Sequence, residues 1–257
     1  MLWIEAQRTP VILLLMFGVC YLLAGAIFCV AAMLSRRAIA EELKPVVPVT
    51  LTPLGVILGL LIIFLASRVW TNLDRAGEYV GQEASALRQT ILLSDSLPAE
   101  IRSNVREAIR KHVDIVASEE WPAMSRQRAN LQSVPAGLAE ALNAILSFAP
   151  VATNQRVAQE RAVAAIEHAL EARRGRIRLS QAEIAPIQWI AIIVLAVLIL
   201  ITLACVHIKH RLAMAITMFI FSTAVAFCLV LLMVYDRPFG LGGFVVQPTL
   251  LRDVMPD

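Results

Sequence analysis

TPLGVILGLLIIFLASRVW, Thr52 to Trp70, is the stretch that decides the fold class. No charged side chain occurs before Arg68, and the run closes on Arg68-Val69-Trp70. A helix that crosses hydrocarbon satisfies its backbone N–H and C=O groups internally, and needs about 20 mostly apolar residues to do so. The uncharged window Val49–Ser67 meets that need near its minimum length. Three further windows, Pro10–Leu34, Ala185–Val206 and Leu212–Tyr235, are also free of Asp, Glu, Lys and Arg. The 257-residue chain is 58% hydrophobic and 17% charged, against about 45–50% and about 25% for a soluble domain. The reading is an all-α membrane protein with four transmembrane helices.

The first window is too long for the h-region of a cleaved signal peptide, roughly 7–15 residues, and reads as a retained anchor. Only His207–Arg211 separates the last two windows, which predicts a tight antiparallel hairpin. The formal net charge of +3 is too small for a nucleic-acid binder. Cys20, Cys29, Cys205 and Cys228 all fall inside apolar runs without metal-ligand spacing, so they read as small packing residues.

Four spans put both termini and the long middle segment on one side. That side carries Arg8, Arg68, Arg75, Arg88, Arg173, Arg174, Arg176, Arg178, Arg237 and Arg252 near the membrane. The opposite loops carry Arg36, Arg37, Lys44, Lys209 and Arg211. Ten basic residues against five place the middle segment in the cytoplasm by the positive-inside rule. The expected order is transmembrane helix 10–34, outer loop 35–48, transmembrane helix 49–70, cytoplasmic helical region 71–184, transmembrane helix 185–206, outer loop 207–211, transmembrane helix 212–235 and cytoplasmic tail 236–257.

Within residues 72–184 the charges balance, with 14 acidic and 14 basic residues. Apolar residues recur at helical spacing. Leu73, Ala76, Val80, Ala84, Leu87 and Ile91 form one stripe. Ile101, Val105, Ile109 (or Ala108), Val113 and Val116 form a second, with Pro98 in the first turn of that helix. Trp121-Pro122 is expected to end it, because a residue before proline is pushed away from the α region. A short helix around Leu138–Phe148 follows. A last one, capped by Thr153 or Asn154, is expected to bury Val157, Ala164, Leu170 and Ile177.

Gly55 and Gly59 form a GxxxG, which lets helix backbones approach closely. Thr52-Pro53 on its own reads as an N-cap followed by proline at the first helical position. The wider pattern Pro-Leu-x₃-Leu-Gly-x₈-Arg-x-Trp, Pro53 to Trp70, resembles the pore-lining helix of the bestrophins. Three further segments resemble a bacterial bestrophin-like family of membrane proteins. They are Trp70-x₅-Ala76 with Gln82-Glu83-Ala84-Ser85-Ala86-Leu87-Arg88, then Glu119-Glu120-Trp121-Pro122-Ala123-Met124, and Asp236-Arg237-Pro238-Phe239. This resemblance covers about Leu51 to Pro248.

The resemblance implies a homo-pentameric ion channel in a bacterial inner (cell) membrane, passing small inorganic ions, with cytoplasmic termini. It places Thr52, Val56 and Leu60 in the neck of the pore. Spacing of four keeps those three on one helical face, and apolar rings can gate by dewetting. Animal bestrophins have aromatic neck residues and an acidic calcium-binding cluster. This chain has neither, so anion selectivity and calcium gating are not implied.

Each candidate also has a plainer reading. Val56 and Leu60 could face lipid or a neighbouring helix. Arg68 and Trp70 can snorkel and anchor at the interface, or mark a pore mouth. Glu119 and Glu120 could ring a vestibule or form a solvated helix end. Arg173, Arg174, Arg176 and Arg178 read as a solvated face or as a contact with anionic lipid. Asp236-Arg237 reads as pairing with neighbouring helices or headgroups, and Gly240, Gly242 and Gly243 as a loop without a phosphate-binding frame. His207 and His210 make a poor metal site. No metal, cofactor or catalytic constellation is expected. The rival reading to a channel is a non-conducting membrane scaffold or signalling protein that assembles through its cytoplasmic helices. An integral-membrane enzyme is weaker, because the spans lack the ionisable residues that mark intramembrane sites.

Overall fold

The computed structural model describes residues 9–34, 47–131, 135–240 and 245–255. Arg8, Arg36, Arg37, Lys44, Gly242 and Gly243, and nearly all of the expected outer loop 35–48, lie outside them. The described residues are helical, with no strand. In chain order the helices are α1 (Thr9–Leu34), α2 (Val47–Ser94), α3 (Ala99–Ile115), α4 (Trp121–Ser125), α5 (Ala136–Leu146), α6 (Thr153–Ser180), α7 (Pro186–Val206), α8 (Arg211–Tyr235) and α9 (Thr249–Arg252). A π-turn, Val116–Glu120, joins α3 to α4. α1, α2, α7 and α8 are each long and apolar enough to cross a membrane.

The chain divides into two compact units. The first holds residues 1–71 and 183–236; the second holds 72–182 and 237–257. In the first, α8 packs on α1 and α7, and α1 packs on α7. One face of α2 joins their core through Leu58, Leu65 and Val69, beside Ile192, Ile199 and Leu229. The spans turn large apolar side chains outward as well: Leu14, Leu22, Phe64 and Leu212 are all more than two-thirds exposed. That is the pattern of helices whose solvent is lipid.

Thr52-Pro53 does not start a helix. Pro53 lies inside α2, whose described part begins at Val47. α2 also continues through Trp70 to Ser94, so the second span and the first soluble stripe are one helix. Its stripe is as expected, with Ala76, Val80, Ala84 and Leu87 buried.

Trp121-Pro122 does not end helical structure either. Proline lacks an N–H and clashes with the carbonyl four residues back. The chain meets this by widening one turn ahead of it: the Trp121 N–H reaches the Val116 carbonyl in an i→i+5 bond. Helix then resumes through Ser125.

The second unit packs α3 against α5, α5 against α6 and α4 against α6. Pro98 stands one position earlier than expected, as the N-cap of α3. Ala152, rather than Thr153 or Asn154, caps α6. There the Gln155 side chain reaches back, accepting from the Ala152 and Val151 N–H groups at 3.4 and 3.3 Å. α6 buries Ile177 as expected, and Leu170 packs partly buried against the same core, but the rest of its stripe differs. Val157 is 51% exposed, while Ala158, Ala162, Ile166, Ala169, Arg173 and Arg176 are buried. Alanines allow close approach there, and two arginines find partners inside.

Candidate functional site

Two parts of the molecule carry site candidates. The first is the outward face of α2. Leu58, Leu65 and Val69 turn to the core, so the 3.6-residue period sends Thr52, Val56, Leu60 and Ile63 to the opposite side. All four are exposed, at 55% for Val56, 50% for Leu60 and 63% for Ile63. Gly55 and Gly59 lie on the flank of that face, and a Cβ built on either meets nothing within 4 Å. The GxxxG therefore does not pack helices within one subunit.

Arg68 is exposed, yet it bridges α2 to the start of α7. It donates to the Gln188 side-chain carbonyl and to the Glu183 carbonyl, both at 3.3 Å. Gln188 in turn accepts the Ala185 N–H at 3.1 Å. Trp70 is 54% exposed. Asp236, at the end of α8, is buried and accepts the Ile184 N–H on both carboxylate oxygens, at 3.1 and 3.2 Å. A carboxylate is favoured there, beside the positive end of the α7 dipole.

The second part lies in the helical unit formed by residues 72–182 and 237–257. Glu83 on α2 and Arg176 on α6 form a two-pronged ion pair, Nε to Oε2 at 2.9 Å and Nη2 to Oε1 at 3.2 Å, with both side chains fully buried. The same Nη2 donates to Glu120 Oε1 at 2.6 Å. Arg173 Nε donates to Glu120 Oε2 at 2.7 Å. His112 Nε2 lies 3.1 Å from Glu83 Oε1. The Trp121 ring covers the Arg176 guanidinium at 5.2 Å, and Phe239 meets the same ring edge-on at 5.4 Å. Burial pushes the Glu83 carboxyl up, but Arg176 and His112 together overcome it and hold the group below its ordinary range. Burial likewise lowers Arg176, and Glu83 and Glu120 more than reverse that.

These contacts change the reading of three residues. Arg173 and Arg176 do not face lipid, since they are buried against carboxylates. Arg174 and Arg178 are the exposed members of that cluster. Glu120 is 11% exposed and paired twice, so it does not project into a vestibule, whereas Glu119 is exposed. Arg237 donates to Gln127 Oε1 at 3.2 Å. Glu83 and His112 were missed as a pair. Their signal was position: each sits in register with a buried stripe, Glu83 with Val80 and Leu87, His112 with Val105, Ile109 and Val116. Among the described residues, no three His, Cys, Asp or Glu side chains are placed to hold a metal ion.

Four membrane-length helices with a helical unit inserted between the second and third define an all-α polytopic membrane protein. The Bestrophin-like domain family matches residues 18–251, and the chain belongs to that family. Its fold is similar to crystal structures of a bacterial bestrophin homologue from Klebsiella pneumoniae. One carries a tryptophan-to-alanine substitution: TM-score 0.66, 15% identity, 93% of this chain and 93% of that one covered. Another carries an aspartate-to-alanine substitution: TM-score 0.68, 15% identity, 92% and 96% covered. The fold is also similar to the crystal structure of a membrane protein carrying a proline-to-alanine substitution, with a TM-score of 0.65 at 15% identity over 93% of this chain and 95% of that one. No curated protein matches the chain.

Proposed function

We propose that this chain is the subunit of a homo-oligomeric ion channel, assembled as a pentamer, in which α2 lines the pore. Thr52, Val56 and Leu60 form its neck, and small inorganic ions are its cargo. Both termini and the helical unit lie on the cytoplasmic side, as the ten-to-five basic bias favours. The observation that carries the reading is the unpartnered apolar face of α2. Only 11% of its most apolar window is buried, the least of the four spans. Membership of a family whose members are ion channels supplies the rest of the support. Copies of that face around an axis make stacked apolar rings, which oppose ion passage by dewetting until they widen. Gly55 and Gly59, flanking it, are where a neighbouring α2 can approach closely. Arg68 and Trp70 mark the cytoplasmic end of the span; Arg68 adds positive potential near the mouth, and Glu119 remains a candidate vestibule charge. Arg174 and Arg178 are the residues left to contact anionic lipid.

The test is ion conduction by purified protein in planar bilayers, wild type against Val56→Ala and Leu60→Ala. The expected result is wild-type conductance that each substitution raises or makes less selective. Silence of every variant in all ions tried, from protein that is oligomeric in detergent, would favour a non-conducting scaffold. A monomer by mass measurement would rule out a central pore.

A further inference from the structure

In the helical unit of residues 72–182 and 237–257, a cleft of about 340 Å³ opens beside the ion network. His112, Glu120 and Arg173 line it, with side chains 2%, 11% and 6% exposed. Glu120 and Arg173 neutralise each other there. Ile115, Val116 and Ala123 add an apolar wall.

Several polar groups at this cleft are unused. His112 turns Nε2 to Glu83 at 3.1 Å. Glu83 is held ionised and can only accept, so the proton of the neutral imidazole sits on Nε2 and its lone pair on Nδ1. Nδ1 has no partner among the described residues, and it is the nitrogen that His112 can offer the cleft. α5 starts on the cleft with Ala136 and Gly137 and has no side-chain cap. Its first internal bond runs from the Ala139 N–H to the Pro135 carbonyl, at 3.1 Å. The Ala136 and Gly137 N–H groups are therefore unpaired within the helix and carry its positive end. Glu119 and Arg128 are exposed and line the same cleft. Their side chains are opposite in charge, yet they pair neither with each other nor with any other described residue.

We propose that this cleft binds a small zwitterion, an α-amino acid with an aliphatic side chain. Its carboxylate lies on the α5 N–H groups with Arg128. Its ammonium lies between Glu119 and His112 Nδ1, and its side chain rests against Ile115, Val116 and Ala123. A plain anion would meet the Glu119 carboxylate and the Nδ1 lone pair. A plain cation would meet Arg128 and the positive end of α5. Only a ligand that brings both signs uses all of these groups and leaves no charge in the cleft uncompensated.

The site lies wholly in the helical unit, so its test does not depend on conduction. Isothermal titration calorimetry on the full-length protein in detergent uses L-leucine as the probe. Isocaproate and isoamylamine are the analogues that lack its ammonium and its carboxylate. The expected result is saturable binding of leucine, and binding of each analogue at least about tenfold weaker. Glu119→Gln and Arg128→Gln should each weaken leucine by about tenfold. Both side chains are exposed, so both variants should keep the wild-type unfolding midpoint. L-valine and L-methionine, titrated alongside, cover other side-chain lengths. If none of the three amino acids binds saturably up to millimolar concentration, the proposal is overturned. It is also overturned if either analogue binds as tightly as leucine, which would make this a site for a single charge. Leucine binding that neither substitution changes would place the ligand elsewhere.

Discussion

Arg176 and Glu83 meet in a two-pronged ion pair, with both side chains fully buried and 93 positions apart in the chain. The pair ties α6 to the part of α2 that follows the membrane span. Glu120 and His112 occupy further hydrogen-bonding positions around it, and Trp121 closes it from above. The Arg176 fork matches carboxylate geometry in a way a lysine could not. Fully partnered, such a network fixes one register between helices. With one member removed, it leaves a buried charge exposed to an apolar surrounding.

Arg176→Met should therefore destabilise the helical unit by about 3–5 kcal/mol, because Glu83 is left buried with its main partner gone. Adding Glu83→Gln should recover part of that loss. Non-additivity of at least about 1 kcal/mol is expected between directly paired groups. Denaturant unfolding of the four proteins in a double-mutant cycle measures it, and additive losses would mean that the pair is not coupled.

The same pair sets an acid limit. The Glu83 carboxyl is held below its ordinary value of 4.5. In the folded state it therefore binds its proton less readily than in the unfolded state. Its contribution to stability is fully present above that ordinary value and is lost as pH falls through the lower, folded value. The unfolding midpoint of the wild type should decline below about pH 4.5. Glu83→Gln, already weaker, should show a shallower decline. Parallel acid limbs in the two proteins would assign the loss to other carboxylates.

How much of this was readable beforehand depends on what each feature rests on. The four spans were legible because lipid demands long uncharged windows, and nothing else in a sequence produces them. The α2 stripe from Ala76 to Leu87 was legible for the same kind of reason: a 3.6-residue period of apolar side chains has few other causes. The α6 stripe was legible at Ile177 but misread over the rest of its length, because alanine and arginine bury there and neither announces burial. Arg173, Arg174, Arg176 and Arg178 look alike as a cluster. Only the helical period separates the two that point inward from the two that do not, and Glu83 and His112 needed the same check against their own stripes. Pro122 misled because a π-turn absorbs the clash that would otherwise stop a helix.

Glycine positions offer a clean contrast. A Cβ on Gly137 would lie 2.5 Å from the Ala108 carbonyl oxygen and 2.8 Å from His112 Cβ. Backbone cannot move aside cheaply, so Gly137→Ala should cost about 1–3 kcal/mol through overpacking of α5 on α3. Gly55→Ala and Gly59→Ala meet open space within the subunit. They should not destabilise it, and alanine's better helix propensity should add up to about 1 kcal/mol each; any loss should appear in oligomer mass instead. Thermal unfolding in detergent, read alongside native mass measurement, separates the two cases.

The last prediction concerns polarity in the proposed neck. Widening a ring and wetting it are different perturbations, and a dewetting gate responds to both. Val56→Thr keeps side-chain volume nearly constant but adds a hydroxyl that holds water, so it isolates the second effect. Val56 is 55% exposed in the single chain, and no interior contact penalises the change. The substitution should raise open probability in planar bilayers while leaving the unfolding midpoint unchanged. Val56→Leu, apolar and larger, should lower it. If both variants conduct as the wild type does, Val56 does not face the ion path. The pore would then run along another face, or α2 would meet lipid there.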